Sequence, residues 1–514
     1  MSEQTIDQPL LITSRTDWTE DLIARVYKEI EKIAYEELEL EGQVYPNQIE
    51  IISAEQMMDA YSSIGLPVHY NHWSFGKDFL KTSKGYDKGR SGLAYEIVIN
   101  TNPCISYCME DNSMMMQALV IAHAAFGHNS FFKNNEAFKQ WTNAGSIIDY
   151  MIFARDYIRK CEERYGAEAV EMVLDAAHAL APHGVDKFKR KHKPKLSEEA
   201  RLKKLIDEED AKQLEMDIIQ QRTKMVADVE LDDEDTIEEE ENLLYFIMKK
   251  APGMERWKRE ILRIVYKVNQ YFYPQGMTQN ANEGWASFTH YYIMTRLEEK
   301  GILSSDAYLA FLDSHAGVLY QPEYNSKYYS GGFNPYALGF AILMDVKRIA
   351  QGGEFIHVNG KKTWEPVTDE DREWFPHLIG KKWQDAVKDA AWSYRDDGFI
   401  QQYLSPRVMR KFKMFALNLN YDDGEPRAIV ADIHDEVGYK QIRLTLARSF
   451  ERINRVPQIA VVDADLDGDR TLYLEYVPHK DRALDRDSAT AVADYIDFLW
   501  GYPVELDDGE PDEE

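Results

Sequence analysis

Cysteine is scarce: Cys104, Cys108 and Cys161 are the three in 514 residues, too few for a disulfide framework in a chain this long. Cys104 and Cys108 have no second pair nearby, so they read as semi-buried thiols rather than a zinc or redox motif. No uninterrupted apolar stretch approaches the roughly 20 residues that span a bilayer. The opening MSEQTIDQPLLITSRTDWTED lacks the basic-then-apolar order of a secretory leader. Basic charge is short as well: 60 Lys and Arg against 89 Asp and Glu leave a net −29, which argues against a surface for nucleic acid or anionic membrane. Neither a G-x-x-x-x-G-K-[ST] phosphate loop nor a G-x-S-x-G elbow occurs. These absences point to a cytoplasmic protein without a nucleic-acid partner or a membrane span.

What the chain does have is apolar and aromatic material, 44 % and 12 % of residues with 31 Tyr, enough for a large core and two or three domains. Apolar periodicity predicts a first helix over 17–40, capped by Thr16 or Asp17. A strand follows at Leu93 to Asn100, bounded by Gly92 and Pro103. Further helices are expected at 113–133, 136–161, 166–181, 243–272, 278–299 and 304–316. The stretch 185–242 is charged and ends in an acidic run, as in an exposed helical excursion with a tether. Tyr320 to Ala337 reads as a structured aromatic loop, either the wall of a site or simple packing. Beyond residue 412 a β-β-α-β-β-α order predicts a small α+β domain over 413–505, followed by an acidic tail at 506–514.

Two segments put ionisable side chains inside otherwise apolar helices: His123 and His128 in VIAHAAFGHNSFF, and Glu283 and His290 in NEGWASFTHYY. Buried imidazoles and carboxylates normally pair with one another or hold a metal. Glu283 and His290, seven apart, share a helix face. His123 and His128 are five apart and would diverge by about 140° on a regular helix. Gly127 could widen or end that helix, or a π-bulge could swing His128 round. A bound ion held by these four residues would be zinc or another first-row divalent metal. The competing reading is a buried hydrogen-bonded network without metal.

Other residues carry less. His69 and His72, flanked by aromatics, read as packing residues. His315 fits the negative end of a helix dipole. Asn134 and Asn135 suit helix caps. Asp463 to Asp469 imitates an EF-hand start, but Leu474 stands where that loop needs Glu, so a hairpin turn on Asp467-Gly468 is expected.

VIAHAAFGHNSFFKNN, SIIDYMIFARDYI, NEGWASFTHYYI and YNSKYYSGGFNPYALGFAI, in this order along nearly the whole chain, resemble the stage V sporulation protein R (SpoVR) family. That resemblance implies a role in spore-cortex or cell-envelope formation or in stress physiology. It also implies partners, a serine protein kinase and a von Willebrand factor A-like protein, and allows a non-enzymatic scaffold as an alternative to an enzyme. A more distant likeness is to zincin metallopeptidases that carry H-E-x-x-P-G-H on one helix and E-G-W-A on another. Phe126-Gly127-His128 resembles P-G-H, and Glu283 to Ala286 matches E-G-W-A, which makes His128 and Glu283 ligands by analogy. The zincin His and its catalytic Glu fall on Ala122 and His123, so the usual base is missing and His123 takes a ligand or base role. The implied fold is mainly α with a small β element, a zincin-like helical core over 1–412, plus the small C-terminal α+β domain. The implied reaction is metal-dependent hydrolysis of an amide in a peptide or peptidoglycan stem.

Overall fold

The computed structural model describes residues 10–62, 66–73, 95–187, 242–323, 326–327, 332–358, 360–422, 425–432, 436–451, 458–466, 468–477 and 486–507. It is mainly helical with small sheets. Among the described residues no helix is long and apolar enough to cross a membrane. Contacts divide the chain into two units, Met1–Leu174 with Lys267–Val456, and Asp175–Tyr266 with Pro457–Glu514. Most of the charged stretch 185–242 and all of 508–514 lie outside the described residues.

In the first unit, helix α1 (Glu20–Glu36) buries Val26, Ile30, Ile33 and Ala34 along one face. It begins later than the periodicity suggests because Thr19 takes the cap, accepting from Leu22 N at 3.2 Å. Thr16 is engaged elsewhere, its hydroxyl accepting from Thr13 N at 2.9 Å. Strands β1 (Asn47–Ile52), β2 (Glu96–Ile99) and β3 (Cys104–Met109) form a sheet in the order β1-β3-β2, with β3 parallel to β1 and antiparallel to β2.

Helix α2 (Met114–Ile121), capped by Ser113, is apolar except for Gln117, whose amide donates to the Met109 carbonyl at 2.9 Å, and is buried except at Met116, as suits a helix at the centre of a core. It continues through a π-helical turn, Ala122–His128, into α3 (Asn129–Asn134). Asn135 ends α3 and caps the next helix, Glu136–Trp141, as expected. The expected helices 136–161 and 243–272 are each broken, the second around Pro252-Gly253, where Gly253 has φ 72°. Helices α4 (Gln279–Glu299), α5 (Ser305–Val318), α6 (Pro335–Ala350) and α7 (Trp383–Trp392) pack into the same core. Buried Asp396 holds the start of α4, accepting from Asn280 N at 2.9 Å and Ala281 N at 3.0 Å.

The strand-strand-helix order expected twice beyond residue 412 is present: Ala416–Asp422, Glu425–Asp432 and Glu436–Phe450, then Gln458–Ala464, Leu472–Val477 and Arg486–Trp500. Contacts assign the first three to the first unit and the last three to the second. The physical reason lies in helix Glu436–Phe450, which buries Tyr439, Ile442 and Ala447 in the first unit's core. Its Arg443 donates to the carbonyls of Leu404 and Gln401, both at 2.9 Å. In the second unit, Val504–Asp507 adds a parallel strand beside Leu472–Val477, and Phe246 stacks on Trp500 with ring centroids 5.9 Å apart.

Candidate metal centre

The π-turn resolves the awkward histidine spacing. Its i→i+5 bonding brings residues five apart nearly above one another, and the His123 and His128 rings meet edge-to-face with centroids 4.6 Å apart. Gly127 makes the turn possible. A Cβ at this position would lie 2.7 Å from Ala286 Cα on α4, so only glycine lets the widened turn sit against that helix.

The Asn-Glu-Gly-Trp-Ala run of α4 can be read residue by residue. Asn282 Oδ1 accepts from His128 Nδ1 at 2.9 Å, which leaves His128 Nε2 free to face inward. Glu283 points into the cluster. Gly284 meets Gly339 of α6, where an added Cβ would lie 2.4 Å from Gly339 C. Trp285 Nε1 donates to Ser130 Oγ at 2.8 Å, and Ala286 is the wall facing Gly127. One residue is therefore aimed at the site, and its neighbours fix the two helices and the π-turn around it.

His128 Nε2 lies 3.5 Å and His123 Nε2 3.8 Å from Glu283 Oε2, and one ligand atom from each residue falls within 4.8 Å of the others. Ligands about 2.1 Å from a shared tetrahedral ion stand about 3.4 Å apart, so these three side chains could hold a divalent metal. Glu283 Oε2 is a buried oxygen without a hydrogen-bond partner, an arrangement that is costly unless a cation completes it. Glu96 on β2 enters from a third direction, with Oε1 3.7 Å from His123 Nε2. No Lys or Arg pairs with either carboxylate among the described residues. Both keep a little solvent access, 18 % for Glu96 and 17 % for Glu283.

The electrostatics follow from this crowding. Burial, then the Glu283 charge, pushes the Glu96 carboxyl up to about 8. Burial also raises Glu283, opposed by His128 and by a hydrogen bond from Tyr336. Burial, then His128 and His290, drives His123 well below its ordinary value, so it stays neutral with a lone pair available.

His290, the fourth residue expected as a ligand, stands behind the cluster. Its Nδ1 lies 2.8 Å from His123 Nδ1 and its Nε2 2.8 Å from His315 Nδ1. Both nitrogens are occupied, so His290 orients His123 rather than offering a lone pair. His315 is correspondingly more than a helix-end charge: it is buried and closes the chain. A cation at His123 Nε2 would leave the His123 proton on Nδ1, within reach of His290 Nδ1 at 2.8 Å, while the ring also hydrogen-bonds the Ala286 backbone. In that tautomer His290 would donate from Nε2 to His315 Nδ1, which would put the last N–H on His315 Nε2, a buried atom without a partner.

Sequence reasoning missed Glu96 and Asn282, and left Tyr336, in the aromatic stretch 320–337, between a site wall and simple packing. Of the two that were missed, Glu96 carried a signal, as a carboxylate opening the apolar strand Glu96-Ile97-Val98-Ile99. His69 packs on Tyr70, with Nδ1 3.0 Å from the Tyr70 carbonyl, and neither His69 nor His72 joins the metal-capable group.

His123 and His128 on a π-turn and Glu283 on a helix, with the Glu96 carboxyl of β2 beside them, define a protein with a buried His-His-Glu triad that could hold a divalent ion. Residues 17–455 match the family described as SpoVR like protein, and residues 457–510 match the SpoVR-like C-terminal domain. The chain belongs to the SpoVR family. It is 47 % identical over 497 residues to an uncharacterized protein of Escherichia coli (strain K12), YcgB, covering 96 % of this chain and 92 % of that one. No solved structure matches.

Proposed function

We propose that this protein is a metal-dependent hydrolase, with zinc or another first-row divalent ion held by His123, His128 and Glu283. The supporting observation is the unpartnered Glu283 Oε2 facing two imidazole Nε2 atoms at 3.5 and 3.8 Å. When bound, such an ion supplies Lewis acidity toward a carbonyl and a nucleophile at neutral pH. His290 and His315 hold the His123 ring in orientation, and Asn282 does the same for His128. Tyr336 fixes one oxygen of Glu283 and stacks on His123, ring centroids 6.4 Å apart. Glu96 takes the proton-transfer role that the Ala122-His123 pair cannot fill. Burial and the Glu283 charge raise this carboxyl in the metal-free protein, and a cation beside it would favour the ionised form, the form that a general base requires.

The substrate class we assign is an amide in a peptide or a peptidoglycan stem, in line with an envelope, spore-cortex or stress role. A serine protein kinase and a von Willebrand factor A-like protein are the proposed partners. The deciding experiment is metal content by mass spectrometry on protein purified without an affinity-tag metal, beside His128→Ala/Glu283→Ala. Near-stoichiometric metal that disappears in the variant is expected, followed by peptide and peptidoglycan cleavage that Glu96→Gln abolishes while metal is retained. A metal-free, folded wild type would overturn the reading.

A further inference from the structure

Apart from the metal ligands, the first unit contains a cavity of about 400 Å³ walled by Leu319, Pro322, Phe333, Phe340, Phe412 and Met414. This is the size of a small-molecule site, and mostly apolar walls with few polar groups are what such sites show. Gln321, Glu323, Lys411 and Lys413 supply the polar edge. Among the described residues, two lysines against one glutamate leave this rim positive in a chain whose net charge is −29.

Lys413 occupies a backbone position that disfavours it. Helix Pro406–Lys411 ends in a Schellman motif, with Lys413 N bonded to Arg410 O at 3.1 Å and Met414 N to Met409 O at 3.0 Å. Lys413 is the left-handed residue of that motif, with φ 51°, where glycine is the usual occupant. A side chain kept at a conformational cost suggests that the side chain is used. Its Nζ meets Glu323 Oε1 at 3.2 Å across the cavity edge, with both side chains more than 70 % exposed. Exposed pairs of this kind stabilise little, so an incoming anion can replace Glu323.

We propose that this cavity binds an amphipathic monocarboxylate, its apolar part among the aromatic walls and its carboxylate against Lys411 and Lys413. The proposal is independent of the hydrolase reading, although the cavity shares a helix turn with the candidate metal centre. Ala337 and Phe340 line it, and the Phe340 ring stands edge-on to His315 with centroids 5.0 Å apart.

The test is calorimetric titration of the full-length protein with decanoate, phenylbutyrate and decanol, each below its aggregation concentration. Three variants accompany the wild type: Lys411→Glu/Lys413→Glu, Lys413→Gly and Leu319→Trp. At least one carboxylate is expected to bind one-to-one, with decanol much weaker. Charge reversal should weaken carboxylate binding roughly tenfold or more, in line with the loss of a charge-assisted contact, and Leu319→Trp should block it. Lys413→Gly relieves the backbone, so it should weaken binding while leaving the melting temperature unchanged or higher. That variant separates a lost contact from a damaged fold. Failure of both carboxylates to bind, decanol binding as well as decanoate, or variants binding like wild type would each overturn the proposal.

Discussion

Glu96 and Asn282 carry different burdens at the site, and each gives a separate measurement. Because burial and Glu283 raise the Glu96 carboxyl to about 8, it is protonated at pH 7 in the metal-free protein. A cation beside it favours the ionised form, so metal binding at pH 7 should release close to one proton, and metal affinity should rise from pH 6 to 8. Titration calorimetry in buffers of different ionisation enthalpy measures that release, and Glu96→Gln should eliminate it. A wild type that releases no proton would mean that Glu96 stays outside the ion's field. Asn282 acts through geometry instead, fixing His128 by the 2.9 Å bond to Nδ1. Loss of such an orienting partner typically lowers metal affinity 10–100-fold. Asn282→Ala should show that loss with little change in melting temperature, whereas an unchanged affinity would leave Asn282 a packing residue.

Between elements, the controlling contact is the crossing of α4 and α6 at Gly284 and Gly339. A methyl at Gly284 would lie 2.4 Å from Gly339 C, a backbone atom that cannot rotate away. Gly284→Ala should therefore destabilise the fold by about 1–3 kcal/mol and move Glu283, read as a lower unfolding midpoint together with weakened metal binding. Full stability in that variant would show that the helices can separate freely. Much of this geometry was legible in the chain. Gly127 before His128 signalled a widened turn, and the apolar surroundings of His123 and Glu283 signalled burial and pairing. The contribution of β2 was not legible, because strand register, not local pattern, sets Glu96 opposite Cys108 on the central strand β3. Nor was the position of His290 behind His123, since seven-residue spacing fixes a helix face but not the depth at which a side chain meets its neighbours. The grouping of the strands beyond residue 412 escaped for a similar reason. Local pattern identifies strands and helices, but the burial of Tyr439 and Ile442 decides which core they join.

For the molecule as a whole, the site makes stability depend on pH in opposite senses on its two sides. His123, His290 and His315 are all depressed by burial, His315 to about 4. Below about pH 6.5 the unfolded chain takes up protons that these folded imidazoles refuse, so stability falls as pH drops toward 4. Glu96 and Glu283 are raised, Glu96 to about 8. From roughly pH 4.5 upward the unfolded chain loses protons that Glu96 keeps until about 8, so this term lowers stability as pH rises. Between about pH 6.5 and 8 the histidines no longer oppose it, and the metal-free protein should melt at progressively lower temperature across that window. A bound cation reverses the preference by stabilising both carboxylates, and mass action adds to folding stability whatever binds the native state alone. Thermal melts at constant ionic strength, with chelator and with added zinc, should therefore diverge as pH rises from 6.5 to 8. A chelated protein whose melting point stays flat across that window, and equals that of the zinc-treated protein, would show that the two glutamates do not face an ion site. The cluster would then be a neutral hydrogen-bonded network whose stability comes from His290 and His315 rather than from a metal.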